Sequence, residues 1–182
     1  MRTPDQILGP FFPQGSKPVT QGDLTTVEGG DGPAQGEIIE VTGRVLDLDG
    51  KPVRGAALTI WQANTFGRYA HPNDFNPAPL DPNFVGFADI RSGDDGAYQI
   101  KTVKPGPYPV GPDWMRAPHI HIEVLGRFER LITQMYFPDE PLNASDRLLI
   151  SVPEPDLLIA RPVASTQGRH RVLKFDIVLA RG

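Results

Sequence analysis

The sequence of 182 residues contains no cysteine, which excludes disulfide bridges, thiolate metal sites and cysteine nucleophiles. It also lacks a basic surplus, because 18 Lys and Arg residues stand against 22 Asp and Glu residues, so no nucleic-acid partner is expected. No apolar run approaches the roughly 20 residues of a membrane-spanning helix, and no apolar segment of the signal-peptide type follows the first residues. We therefore expect a cytoplasmic protein with no membrane association.

Glycine and proline are abundant, with 19 and 20 residues, about a fifth of the chain. Both disfavour helix interiors, so they argue against a helical bundle and favour strands joined by turns and ordered loops. Hydrophobic residues make up 39% of the sequence, which argues against disorder. The length suits a single domain. We predict one domain over residues 1–182, with a Pro/Gly-rich N-terminal arm over 1–36 and a core over 37–182.

Alternating apolar and polar residues predict about seven short strands. These strands cover, approximately, residues 38–45, 57–62, 84–91, 98–103, 119–125, 131–137 and 173–179. Turn signals separate them, and the clearest is the Ser-Gly-Asp-Asp-Gly segment at 92–96, which indicates a hairpin. Only residues 143–161 have helical character, enough for one or two short helices. The pattern predicts an all-β fold, a β-sandwich core with long Pro/Gly-rich loops.

Two histidines stand in one predicted strand, in the sequence His119-Ile120-His121. Residues i and i+2 of a strand point to the same face, about 6–7 Å apart at the backbone, so two imidazoles can converge on one metal ion. Ile120 then faces the core. Glu123 lies on the histidine face. The other interpretation is a pair of exposed polar residues on an ordinary alternating strand.

Two of the four tyrosines lie in predicted loops. Tyr108 stands between prolines, in a segment that these residues hold extended, and Tyr69 follows the second strand. Tyr98 and Tyr136 lie in strands, where core packing explains them. Tyrosine binds metal well only as phenolate, and because its free pKa is about 10, a strongly Lewis-acidic ion must remove the proton. Ferric iron suits such oxygen and nitrogen ligands.

Several motifs occur together and in one order along the chain. They are Trp61-Gln62-Ala63-Asn64, Gly67-Arg68-Tyr69, Asp81-Pro82-Asn83-Phe84, the Lys-Pro-Gly-Pro-Tyr-Pro segment at 104–109, His119-Ile120-His121, and the segment Leu131–Phe137. This set resembles the intradiol ring-cleaving dioxygenases from about residue 37 to the C-terminus. Within that family the sequence is most similar to the iron-binding subunit of the protocatechuate branch.

The resemblance implies a β-sandwich that holds one non-haem Fe(III) and inserts both atoms of O2 into a catechol, giving a cis,cis-muconate-type diacid in aromatic degradation. By motif position, Tyr69, Tyr108, His119 and His121 are the implied metal ligands. Tyr108 is the ligand that the substrate displaces, so it is also an implied catalytic residue. Arg116 and Gln134 are implied beside the bound ring.

The N-terminal arm resembles the start of the non-iron subunit in the protocatechuate branch, where the arm helps to wall the substrate pocket. The resemblance therefore implies Ile7, Gly9 and Val110 as pocket residues. Ile7 replaces an expected threonine and Val110 an expected tryptophan, which makes the pocket less suited to a ring carboxylate. It also implies a homo-oligomer with the arm at an interface.

Two other functions are weighed against this one. A β-sandwich of this size and composition also suits a non-enzymatic binding module, which would hold no metal. A zinc or ferrous enzyme could use His119 and His121 with Glu123 as the carboxylate ligand.

Overall fold

The computed structural model describes residues 1–14, 21–164 and 170–182. Its strands are β1 Ile38–Leu46, β2 Ala57–Trp61, β3 Phe87–Arg91, β4 Ala97–Val103, β5 Tyr108–Gly111, β6 Trp114–Arg116, β7 His119–Leu125, β8 Arg130–Tyr136, β9 Arg161–Val163, β10 Arg171–Lys174 and β11 Ile177–Val178. Two single-turn 3₁₀ helices span Pro141–Ala144 and Pro155–Leu158. The described chain is therefore almost entirely strand and loop, as the sequence predicts.

The strands form two sheets and a small hairpin. In the first sheet β1 pairs antiparallel with β4 and parallel with β10 and β11, and β10 pairs with β9. The second sheet is antiparallel in the order β3-β2-β7-β8. Strands β5 and β6 pair only with each other. Apolar side chains from both sheets form one buried cluster, so the predicted β-sandwich core is confirmed.

Strand β7 is buried on both faces. Ile120, Ile122 and Val124 point into the core between the sheets, as predicted. Full burial of such side chains stabilises the fold by roughly 1.5–3 kcal/mol each. The opposite face carries His119 and His121, and it too is buried. The fold thus places two histidines in the interior, and the alternative of an exposed polar pair is wrong.

The strand bounds differ from the sequence pattern in two places. Strand β3 begins at Phe87 and not at residue 84, because the Asp81 carbonyl and carboxylate accept bonds from Phe84 and Asn83 and close a turn there. The last predicted strand is split into β10 and β11, because the Asp176 carboxylate takes the backbone N–H of Arg44. Strands β5, β6 and β9 are short and have little alternation, and the pattern missed them.

The first residues of the chain lie along the core of the same chain. Thr3 N–H donates to the Val178 carbonyl at 3.0 Å, and Val178 N–H donates to Thr3 Oγ1 at 2.9 Å. Gln6 N–H donates to the Ile132 carbonyl at 2.8 Å. Through these contacts the arm lies along β8 and next to the face of β7 that carries the histidines. Within the described segments, no helix combines the length and the apolar character that a membrane crossing requires.

Gly43 allows β1 to lie close to the segment between β10 and β11. A Cβ at this position would overlap the Phe175 carbonyl, whose oxygen also accepts a 2.6 Å bond from the Tyr98 hydroxyl. We expect Gly43→Ala to lower the free energy of unfolding by about 1–3 kcal/mol, since backbone cannot yield as a flexible side chain does. Urea denaturation checks it, with Gly32→Ala as the control because Gly32 has open space around its Cα. Equal stability of the two variants would contradict this account.

Candidate metal centre

The two histidines of β7 bring their Nε2 atoms within 3.2 Å of each other. His119 Nδ1 lies 2.6 Å from the Ala117 carbonyl, which accepts only, so this nitrogen carries the proton. The Nε2 of a neutral His119 then presents a lone pair toward His121. Two imidazoles are therefore aimed at a common point, an arrangement that suits two ligands of one metal ion.

Tyr108, at the start of β5, and Tyr69, in a loop, both pack against this pair of histidines. The Tyr108 hydroxyl lies 3.4 Å from His119 Nε2. The Tyr69 ring packs edge-on at 5.5 Å from the Tyr108 ring and at 6.2 Å from the His121 ring. The structure thus brings together Tyr69, Tyr108, His119 and His121, which are up to 52 residues apart in the sequence. All four side chains are buried.

Asn64 fixes the loops that carry both tyrosines. Its side-chain oxygen accepts the N–H groups of Phe66 and Arg68, which shapes the turn leading to Tyr69. Its carbonyl accepts the N–H of Gly106, two residues before Tyr108. One buried asparagine therefore holds two distant segments at a set distance.

The approach of these two loops also requires Gly67. This residue has a φ of +78°, a conformation that glycine adopts without steric cost. A Cβ there would overlap the Pro107 carbonyl, next to Tyr108. At the other end of the turn, the Tyr69 N–H donates to the Asp74 carboxylate at 2.6 Å. The position of Tyr69 is thereby fixed from both sides.

The His121 ring is held by packing. Trp61 stacks on it with ring centroids 4.8 Å apart and planes 10° from parallel, because Trp61 and His121 are register partners on β2 and β7. Gly9 of the arm lies on it as well, since a Cβ there would come within 3.2 Å of His121 Cε1. His121 Nδ1 is buried without a hydrogen-bond partner among the described residues.

Arg116 forms a buried polar network beside the ligand group. Its Nε donates to Asp146 at 2.9 Å, and its Nη2 donates to Gln134 Oε1 at 2.6 Å and to the Tyr136 hydroxyl at 2.9 Å. Asp146 also accepts the Ala117 N–H at 2.9 Å and is fully buried. Burial by itself would lower the pKa of Arg116, but Tyr108, Tyr136 and Asp146 raise it. The guanidinium is therefore a fixed positive charge.

A cavity of about 610 Å³ opens onto this group. Tyr108, Arg116 and His121 line its inner end, and Ile7, Gly9 and Val110 line it as well. Gln134 is not among the lining residues: it is fully buried, and its Nε2 donates to the Ile7 carbonyl at 3.1 Å. Gln134 was expected beside a bound ring. In the structure it lies behind Arg116, and it also donates a hydrogen bond to the N-terminal arm.

Sequence reasoning missed several residues of this site. Tyr136 was assigned to the core, yet its hydroxyl bonds Arg116 and Gln134. Asp146 was treated as part of a helical segment, and no local pattern marks it as a partner of Arg116. Of these residues, Trp61 was the easiest to predict as part of the site, because it ends a strand that pairs with the strand of the two histidines.

Burial shifts the pKa of each group at the centre toward its neutral form. It lowers the pKa of His119 and His121 well below the usual value, and the Arg116 charge adds to this effect. It raises the pKa of Tyr69 and Tyr108. The histidines thus keep free lone pairs, whereas the phenols lose their protons only to a strongly Lewis-acidic partner.

These side chains fit a hard metal ion with oxygen and nitrogen ligands. The Tyr69 hydroxyl has no hydrogen-bond partner in the described part of the chain, and buried polar groups are rarely left so. The alternative triad with Glu123 is not formed, because Arg130 Nε donates to that carboxylate at 2.6 Å. Within residues 1–14, 21–164 and 170–182, no three His, Asp or Glu side chains cluster to hold a metal.

The buried histidines predict how the stability of metal-stripped protein depends on pH. Their pKa is about 6.5 in an unfolded chain and lower in the fold, so the unfolded state takes up more protons as the pH falls. Stability is therefore complete above pH 6.5 and decreases below it, by about 1.4 kcal/mol per pH unit for each histidine. Urea unfolding between pH 7.5 and 5 measures the slope.

Two variants test whether the buried histidines cause this dependence of stability on pH. His121→Gln should halve the decrease, whereas His170→Gln, far from β7 in the sequence, should preserve it. A free energy of unfolding that stays constant from pH 7.5 to 5 in the unsubstituted protein would contradict the assignment of two buried neutral imidazoles.

Comparison with known proteins identifies relatives that match most of the chain. A family model described as Dioxygenase matches residues 7–181. The beta chain of protocatechuate 3,4-dioxygenase from Burkholderia cepacia is 46% identical over 165 residues, which cover 86% of this chain and 70% of that one. Hydroxyquinol 1,2-dioxygenase from a Rhizobium species is 32% identical over 77% of this chain, which spans about half (49%) of that relative's length.

The solved structures give the same result for the fold. The dioxygenase domain of a dioxygenase and carbohydrate-binding protein fusion from Streptomyces sp. SirexAA-E superposes with a TM-score of 0.76, at 31% identity and full coverage of both chains. The match spans both sheets and the segments that carry the buried tyrosines and histidines. The chain therefore belongs to the dioxygenase family, among the intradiol ring-cleaving dioxygenases that its motifs resemble.

Proposed function

We propose that this intradiol dioxygenase holds one mononuclear non-haem Fe(III) between Tyr69, Tyr108, His119 and His121 and cleaves a catechol between its two hydroxylated carbons. One observation carries the assignment: the Tyr108 hydroxyl and two imidazole nitrogens converge in a buried site at the end of a cavity, and the Tyr69 ring packs against Tyr108 and His121 there. The family is iron-dependent, and ferric iron matches this ligand set in hardness.

The reaction needs only a catechol and O2. The bond between the two hydroxylated carbons breaks, and each of these carbons gains one oxygen atom of O2. The product is a cis,cis-muconate-type diacid, which contains all the atoms of the catechol and of O2. When bound, ferric iron would supply Lewis acidity, which removes phenolic protons and draws electron density from the ring, so that a ring carbon reacts with O2. Degradation of aromatic compounds is the corresponding role.

The two tyrosines have different surroundings, which supports different roles. Tyr108 lines the cavity, whereas Tyr69 does not; Phe11 covers the Tyr69 ring, with centroids 4.6 Å apart. We assign Tyr69 as the permanent ligand. Tyr108 would hold the metal in the free enzyme and, beside a bound catechol, its phenolate oxygen would accept a proton from a catechol hydroxyl, which is general-base catalysis.

Arg116 is placed to stabilise negative charge on the bound ring. It lines the inner end of the cavity, opposite Tyr108 in the β5-β6 hairpin. Because Asp146, Gln134 and Tyr136 fix three of its hydrogen bonds before substrate arrives, little reorganisation is needed during the reaction. Gln134 acts through Arg116 and is thus a positioning residue.

The partner and location predictions go beyond the described contacts. A homo-oligomer with the arm at an interface is consistent with relatives that are named as alpha and beta chains. The homo-oligomer and the cytoplasmic location stay predictions.

The colour of the protein tests the metal assignment. Iron-replete protein should be burgundy, with a broad visible band from ferric tyrosinate, and should contain one iron per chain. Tyr108→Phe should shift the band and slow turnover by about 10²-fold or more, whereas Tyr98→Phe, which removes a hydroxyl in the core, should leave the band unchanged. A colourless protein with full iron content would refute the two-tyrosinate ligand set.

Turnover under ¹⁸O2 tests the reaction. Unsubstituted catechol should give a muconate product that is heavier by both labelled atoms, and no product should form without oxygen. Mass spectrometry with iron-replete protein measures this, and metal-stripped protein is the control. Incorporation of a single label, or cleavage next to one hydroxylated carbon instead of between the two, would contradict the proposed reaction.

A further inference from the structure

We propose that the substrate of this site is a catechol that carries an uncharged, apolar substituent about as large as a second ring. The substituent lies on the ring carbons away from the two hydroxyls and occupies the outer part of the cavity. This inference rests on the proposed function, because it takes the metal end of the cavity as the place of the hydroxyls.

The size of the cavity is the first argument. A cavity of about 150 Å³ is enough to hold benzene, and the cavity here has about 610 Å³. That volume lies within the range of sites for ligands of several rings. A catechol ring with its two hydroxyls at the inner end would therefore leave most of the space for a further group.

The chemistry of the outer walls is the second argument. Apolar side chains form these walls: Ile7, Pro10, Phe11, Phe75, Pro77, Pro109, Val110, Trp114 and Leu148. Several of them are exposed, with 88% of Phe75 and 51% of Val110 open to solvent. A group that covers them gains the free energy of apolar burial, which grows with the area removed from water.

The charges in the cavity are the third argument. Among the described lining residues, Arg116 is the only cation and Asp74 the only anion. Arg116 is three residues before the strand that begins at His119, and it pairs with Asp146 at 2.9 Å, so its charge lies at the metal end of the cavity. Asp74 accepts the N–H groups of Tyr69 and Asn76.

A carboxylate on the ring would therefore find no partner cation among the residues that line the outer cavity; Arg147, which does not line it, stacks on the Trp114 ring at 5.4 Å. An unpaired charge that leaves water loses its solvation without compensation, which is costly. The Asp74 carboxylate would add repulsion. The residues that line the cavity thus make binding of a charged substituent less favourable than binding of an apolar one.

Binding of monophenols tests this without turnover, because a single hydroxyl cannot chelate a metal. We expect 4-phenylphenol to bind the iron-replete protein about tenfold or more tightly than 4-hydroxybenzoate, as measured by calorimetry at pH 7. Equal affinity, or tighter binding of 4-hydroxybenzoate, would overturn the inference.

Steady-state kinetics on a catechol series give the second measurement. The kcat/KM for 4-phenylcatechol and 4-tert-butylcatechol should exceed that for 3,4-dihydroxybenzoate by about tenfold or more. Val110→Arg should narrow or reverse this ratio, because it adds a cation to the outer wall. Val110→Gln adds no charge and should not raise activity on the carboxylate, and Leu48→Arg, on an exposed turn, should leave the ratio unchanged.

The two proposals fail in different ways. If iron-replete protein cleaves no catechol, the proposed function fails, whatever the monophenols do. If it cleaves 3,4-dihydroxybenzoate best and Val110→Arg gives no further gain, the protein is a dioxygenase and the apolar-substituent inference is wrong.

Discussion

The pairing register of β7 between β2 and β8 is the constraint on which the site depends. Trp61, His121 and Gln134 are aligned across the three strands, and Tyr136 stands opposite His119. Because side chains alternate along a strand, a slip of one residue would turn both histidines into the core and point the isoleucines toward the tyrosines. The apolar face of β7 therefore sets the register, and the register sets the metal site.

The buried ion pair of Arg116 and Asp146 affects stability differently from the apolar side chains of β7. Apolar burial stabilises the fold directly, whereas a buried pair loses much of its Coulomb gain to desolvation, and the loss of one partner costs about 3–5 kcal/mol. The three hydrogen bonds that Arg116 donates, to Asp146, Gln134 and Tyr136, compensate for that cost. Such a network makes sense at a site that needs a charge of fixed position, and it connects the cavity to β8 and to the turn at Asp146.

The sequence predicted those parts of the site that follow from short-range geometry. The two-residue period of a strand was enough to pair His119 with His121 and to direct Ile120 into the core. The prolines around Tyr108 marked an unusual tyrosine. The complete set of ligands, however, came from resemblance to a family, because no local pattern connects Tyr69 with a strand 50 residues later.

What could not be predicted depends on contacts between distant segments. Asp146 lies 30 residues from Arg116, and a turn aspartate has no distinctive sequence context. Tyr136 has the pattern of a core residue, and only its hydroxyl, at the end of a buried ring, reaches the polar network. The break between β10 and β11 follows from the Asp176 carboxylate, which replaces a backbone partner of Arg44.

The anchoring of the arm has a consequence for the order in which the molecule is completed. Thr3 is held by Val178, 175 residues later in the chain, and the same arm carries Ile7 and Gly9 to the cavity wall. During synthesis the β2-β7-β8 part of the second sheet can pair as soon as residue 136 has emerged. The anchor at Thr3 must wait until residue 178 has emerged, so a nascent chain can bond Gln6 and Ile7 to β8 before the end of its arm is fixed.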